Sequence, residues 1–246
     1  MCEKGTGARV VISVIIACFL FSTTAQGQIL RQRTQESGGM GYSIFGGTTL
    51  DVDAFNSRLE QGGYTAISDN FFSTGGGGHW IFNNGVVIGG ELQTLLGDEV
   101  TNGIYKHSVT AGYGIFNMGY TVYSENQLRL YPLLGLGGGV LNFKISETPA
   151  SLAFDDILAN PERSVQLWTG GFLLSFAVGM DYLLPLGRDE SGIGGFVFGI
   201  RAGYVLSPFM SGWLLDDLDI SDAPDLGITG PFMRLTFGGG GIEIME

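Results

Sequence analysis

Residues 196–206 read FVFGIRAGYVL, and the way that run divides into two rows decides the fold. One row is Phe196, Phe198, Ile200, Tyr204 and Leu206, with Ala202 completing it. The other is Val197, Gly199, Arg201, Gly203 and Val205. Alternation with period two is the mark of a strand whose faces meet different surroundings. A charge inside so apolar a run needs a partner or a route to water, because stranding it costs several kcal/mol.

The same rhythm holds from Ser37 onward. It predicts eight strands, at about 39–49, 71–82, 86–96, 104–123, 127–145, 164–184, 194–206 and 230–239. The sixth sets Phe172, Leu174, Phe176, Val178, Met180 and Tyr182 against Ser175, Ala177, Gly179 and Asp181. The eighth sets Met233, Leu235 and Phe237 against Arg234 and Thr236. Short links (Asn83-Asn84-Gly85, Ser124-Glu125-Asn126 and 185–193) alternate with longer ones near 50–70, 97–103, 146–163 and 207–229. That alternation predicts an all-β, antiparallel up-and-down barrel with tight turns at one end and loops at the other. One short helix is expected in the first loop, over 51–61.

Volume decides which row is inside. An eight-stranded barrel encloses room for little more than its own side chains. Five or six bulky residues from each of several strands do not fit there, whereas the small row does. The bulky row therefore faces an apolar solvent, and the barrel is expected to cross a membrane. Strands of about 9–11 residues suffice for that, and several here are longer. Trp80, Phe82, Tyr123, Tyr182 and Tyr204 lie near strand ends, where interfacial aromatics collect.

Composition supports this reading. Gly contributes 42 of 246 residues, aromatics 12% and charged residues only 15%, against about 25% charged in ordinary soluble domains. A formal charge of −12, with its basic residues scattered singly, argues against nucleic acid as a partner. Lys4 and Arg9, the apolar run 10–21, and small residues at Ala25 and Gly27 predict a signal peptide over 1–27. A flexible segment at 28–38 and a barrel domain at 39–246 are expected to follow. Cleavage leaves 23 acids against 10 bases and removes both cysteines, Cys2 and Cys18. A second reading takes Ile15-Ile16-Ala17-Cys18 as a lipoprotein signal, with Cys18 lipidated.

In its alternating rows and its rhythm of connections, the chain from Gly39 onward resembles the small eight-stranded outer-membrane barrels of diderm bacteria, the OmpA transmembrane domain, OmpX and OmpW group. The resemblance implies export to the outer membrane, with outer-membrane lipid as the surrounding partner. Such barrels commonly end in an aromatic residue, whereas this chain ends GGGGIEIME. Phe237 standing in for that residue, or a last strand running on to Ile244, are the two readings of the difference.

Candidate chemistry is sparse. The glycine clusters 75–78, 135–139 and 238–241 lack the Lys-Ser/Thr or βαβ context of nucleotide loops, and strand curvature explains them. The only histidines, His79 and His107, are expected at opposite ends of the barrel. A loop-end triad would combine His107 with Glu91 or Asp98 and a hydroxyl. The loop 216–225, DDLDISDAPD, holds five aspartates, read first as a solvated acidic loop and second as a site for a divalent cation or a surface ligand. Trp213-Leu214-Leu215 before it is expected to pack at the membrane surface or touch a partner. By parity Glu91, Gln93, Asp181, Arg201 and Arg234 point inward and form an interior polar network, either structural or a narrow gate. Asp181 is the expected first partner of Arg201, and Glu91 the second.

The expected function is a non-enzymatic outer-membrane barrel with a structural, surface-interaction or narrow-transport role and no cofactor. The alternatives are a lipid-modifying barrel enzyme, and a soluble or lipid-anchored ligand-binding barrel with its bulky row inside.

Overall fold

A computed structural model describes residues 36–103, 105–148, 155, 164–188, 192–216 and 218–244. The expected signal peptide, the Cys18 lipidation reading and most of the segment 28–38 fall outside these residues. The elements run β1 (Glu36–Thr49), α1 (Asp53–Gln61), β2 (Asn70–Ile81), β3 (Val86–Leu96), β4 (Val100–Thr101), β5 (Tyr105–Tyr120) and β6 (Tyr123–Glu125). Then come β7 (Leu128–Glu147), β8 (Ser164–Arg188), β9 (Gly192–Met210), β10 (Trp213–Leu215), β11 (Leu218–Ile220) and β12 (Gly230–Ile244).

Eight of these strands close a ring. Each of β1, β2, β3, β5, β7, β8, β9 and β12 pairs antiparallel with the next, and β12 returns to β1. Closure leaves the ring no free edge, the condition a sheet must meet to cross a lipid bilayer. The chain is an all-β, eight-stranded, antiparallel transmembrane barrel. No helix among the described residues is long and apolar enough to cross a membrane.

At the seam between the terminal strands, the last strand follows the second reading of the C-terminal sequence. β12 continues past Gly239 to Ile244, and β1 begins at Glu36, within the segment expected to be flexible. Each strand supplies the other's ladder partners, from Thr48↔Phe232 down to Glu36↔Ile244. The tip of the β6–β7 hairpin also lies one residue later than expected. Asn126 and Gln127 both take positive φ, of 50° and 65°, as a two-residue primed turn requires.

Burial settles the facing. Met233 and Leu235 are 61% and 57% exposed, while Arg234 between them is 1% exposed. Phe196, Phe198 and Ile200 are exposed on β9, and Val197, Arg201 and Val205 are buried. Near the turn end, Trp80, Phe82, Tyr123 and Tyr182 also stand outward.

The loop-side half of the lumen is filled by the loops themselves. In α1 the apolar positions Phe55 and Leu59 fall four apart, on one face, and both are buried. Phe55 stacks on Trp213 with ring centroids 5.8 Å apart and meets Phe143 edge-on at 4.9 Å. Leu226 and Ile228, from the last loop, join the same cluster as Leu95, Val109, Leu141, Leu173 and Val205 of the wall. Trp213 is 4% exposed and its indole N–H donates to the Pro224 carbonyl at 2.8 Å. This corrects the expectation that Trp213 meets the membrane surface or a partner. The last loop folds back over the mouth, and only inside the plug do both the apolar ring and its N–H find company.

Candidate functional site

Below the plug lies a band of charge. β9 and β12 pair Arg201 directly with Arg234, so two guanidiniums enter the lumen side by side. Both are almost fully buried, at 2% and 1% exposure. Glu91, on β3 across the lumen, answers both. Its Oε2 accepts from Arg201 Nη1 at 3.1 Å and its Oε1 from Arg234 Nη1 at 3.3 Å. One carboxylate thus separates two like charges and gives each an ionic hydrogen bond. Gly77 faces Glu91 in the ladder and leaves it room: a Cβ there would press on the Glu91 Cβ.

Aromatic rings complete the band. The Arg201 guanidinium lies over the Tyr42 ring at 4.3 Å and that of Arg234 over the Phe232 ring at 3.7 Å. Arg234 Nη2 also donates to the Tyr113 hydroxyl. Rings of this kind attract a cation through their quadrupole, which adds to what Glu91 alone can supply.

Towards the turn end the network continues through Asp181, Tyr131 and His79. The Tyr131 hydroxyl donates to Asp181 Oδ2, and Arg201 Nη2 approaches that hydroxyl at 3.5 Å. Arg201 Nη2 also meets His79 Nδ1 at 3.0 Å. His79 Nε2 stands 3.4 Å from Asp181 Oδ2. Gly179 makes this possible, since a Cβ there would collide with the Tyr131 ring.

The expected order of partners for Arg201 is therefore reversed. Glu91 is its ionic partner, while Asp181 accepts from Tyr131 and stands beside His79. The reason lies in the register. Arg201 pairs with Gly179 on β8, which sets Asp181 two residues nearer the turn end, opposite Gly199. The long guanidinium reaches across the lumen instead. Gln93 is buried one step towards the loops, where its Oε1 accepts from Ser73 Oγ at 2.9 Å. It neighbours the charged band, and its own bond is to Ser73.

The histidines occupy separate surroundings. His79 is held in the charged band, a role its inward parity beside Trp80 could have signalled. His107 is buried in the plug, with Nε2 against the Thr65 carbonyl at 2.8 Å and Tyr64 and Phe143 as ring neighbours. Glu91 is committed to the two arginines and Asp98 is exposed. The arrangement gives His107 no carboxylate orienter from either residue. Tyr42, Tyr113, Tyr131 and Arg129 are further interior groups absent from the sequence-based set, all of them buried. In the acidic loop, Asp216, Asp219, Asp222 and Asp225 form no cluster of three or more metal-type ligands among the described residues.

No family model matches the chain, and no curated protein does. Solved structures show related shapes at low identity. Ail, the attachment invasion locus protein of Yersinia pestis, aligns at 15% identity over 85% of this chain and 97% of its own, with a TM-score of 0.39. OprG, an outer membrane protein of Pseudomonas aeruginosa, aligns at 10% identity over 87% and 98%, with a TM-score of 0.36. Neisserial surface protein A aligns at 8% identity over 85% and 97%, with a TM-score of 0.34.

Proposed function

We propose that the chain is an outer-membrane barrel with a closed lumen, serving a structural or surface-interaction role rather than transport or catalysis. The observation that carries this reading is the double obstruction of the lumen. An apolar plug of α1 and the last loop fills the loop side, and the Arg201–Glu91–Arg234 band fills the middle. Eight strands leave no spare width around them.

The loops above the plug are acidic, with Asp51, Asp53, Glu60 and Asp69 from the first and Asp216, Asp219, Asp222 and Asp225 from the last. Such a field favours a cationic surface partner or divalent cations and repels polyanions. The outward apolar belt accounts for lipid as the solvent of the barrel wall. It also removes the basis for a soluble barrel with its bulky row inside.

Reconstitution into planar bilayers tests the closed lumen. The expected result is a baseline current without discrete open steps, at any polarity, from protein whose folded state is checked by heat-dependent gel mobility. Reproducible single-channel steps that vanish when the protein is unfolded would overturn the reading and restore narrow transport.

A further inference from the structure

We infer that the turn-side half of the barrel holds one bound water molecule between His79 and Asp181, supplied from the turn side only. The inference stands independently of the proposed function, because it concerns hydration of the lumen below the charged band.

Arg201 fixes the tautomer of His79. A guanidinium has no acceptor, so its Nη2 contact with His79 Nδ1 makes that nitrogen the acceptor and leaves the imidazole proton on Nε2. This Nε2–H has no hydrogen-bond partner among the described residues, although Asp181 Oδ2 is 3.4 Å away. Asp181 Oδ2 already accepts from Tyr131, while Asp181 Oδ1 is buried without a partner. The site therefore lacks one acceptor for a donor and one donor for an acceptor, at two side chains 7% and 2% exposed. Leaving both unmet in a buried site forfeits the hydrogen bonds that each group makes to water in the unfolded chain.

A recess borders both side chains. It is lined by His79, Asp181, Arg129, Val197, Ile242 and Gln127, and it has a volume of about 10 Å³, room for one water. Gln127 is exposed at the hairpin tip, so the recess starts at the turn end. From the loop side, the plug and the charged band stand in the way. The chemistry selects the ligand. A cation offers the Nε2–H no acceptor and an anion offers the carboxylate no donor, whereas water accepts from one and donates to the other. The ligand is thus a neutral molecule of one heavy atom.

The test uses the full chain, folded in nanodiscs, with ¹⁵N-labelled histidine. There are two rings, and His107→Gln assigns them. The expected spectrum shows His79 protonated on Nε2, with a cross-peak from that proton to water. Val197→Phe fills the recess and is expected to remove the cross-peak and slow exchange of the proton by about tenfold. Val197→Leu, a milder change, gives a smaller slowing if the larger side chain prevents folding. Phe55→Ala, which loosens the plug, leaves the exchange unchanged. Protonation on Nδ1, absence of a water cross-peak, or faster exchange on loosening the plug would each overturn the inference.

Discussion

Glu91→Ala is expected to destabilise the folded barrel more than any other single change in the lumen. It leaves Arg201 and Arg234, a directly opposed cross-strand pair, buried beside each other with no carboxylate between them. Removing one partner of a buried ion pair costs about 3–5 kcal/mol, and here one residue serves two charges. The folded-to-unfolded ratio should fall by roughly two to four orders of magnitude at that cost. Urea titration of protein folded in vesicles reads the change, with heat-dependent gel mobility as the independent check. Removing all three charges together, as Glu91→Leu with Arg201→Met and Arg234→Leu, should recover most of the loss. Apolar replacements of buried ionic triads are often neutral or stabilising. A Glu91→Ala variant as stable as the parent would mean that the aromatic faces and water suffice for the guanidiniums.

Phe55→Ala is the second large effect, and it is local. Phe55 sits between Trp213 and Phe143 in the plug, and truncating a buried Phe to Ala costs about 3–5 kcal/mol. The loss falls on the plug and leaves the strand ladder closed, because none of the ring pairings involves α1. Trp213 reports it. With Trp80 and Trp168 replaced by Phe, its emission should start blue-shifted and shielded from acrylamide. The Phe55→Ala variant should shift it red and expose it, with gel mobility unchanged. Unaltered shielding would show that the last loop holds Trp213 without help from α1.

The barrel was legible because strands carry a period and a volume limit. FVFGIRAGYVL states both, since its large row cannot fit where its small row can. Contacts inside the lumen were less legible. Neighbouring strands can be inferred from chain order, but Arg201 and Glu91 lie 110 residues apart and meet across the lumen. No pairwise reading of β8 and β9 reveals that contact. Tyr42, Tyr113 and Tyr131 were hidden by the rule that bulk faces lipid, although their parity places them inside. Trp213 had no periodic signal at all. It lies in a short hairpin beyond the wall, and only the folding of that loop over the mouth decides where it points.

Which way the two rows face decides whether the barrel wall meets lipid. Spin labels placed singly at 196–206 in nanodiscs measure this directly through their accessibility to oxygen, which partitions into lipid, and to a water-soluble nickel chelate. Labels at 196, 198, 200 and 204 should be open to oxygen and closed to nickel, as lipid-facing positions are. Labels at 197 and 205 should be shielded from both. A reversed pattern, or nickel access along the bulky row, would contradict the transmembrane barrel.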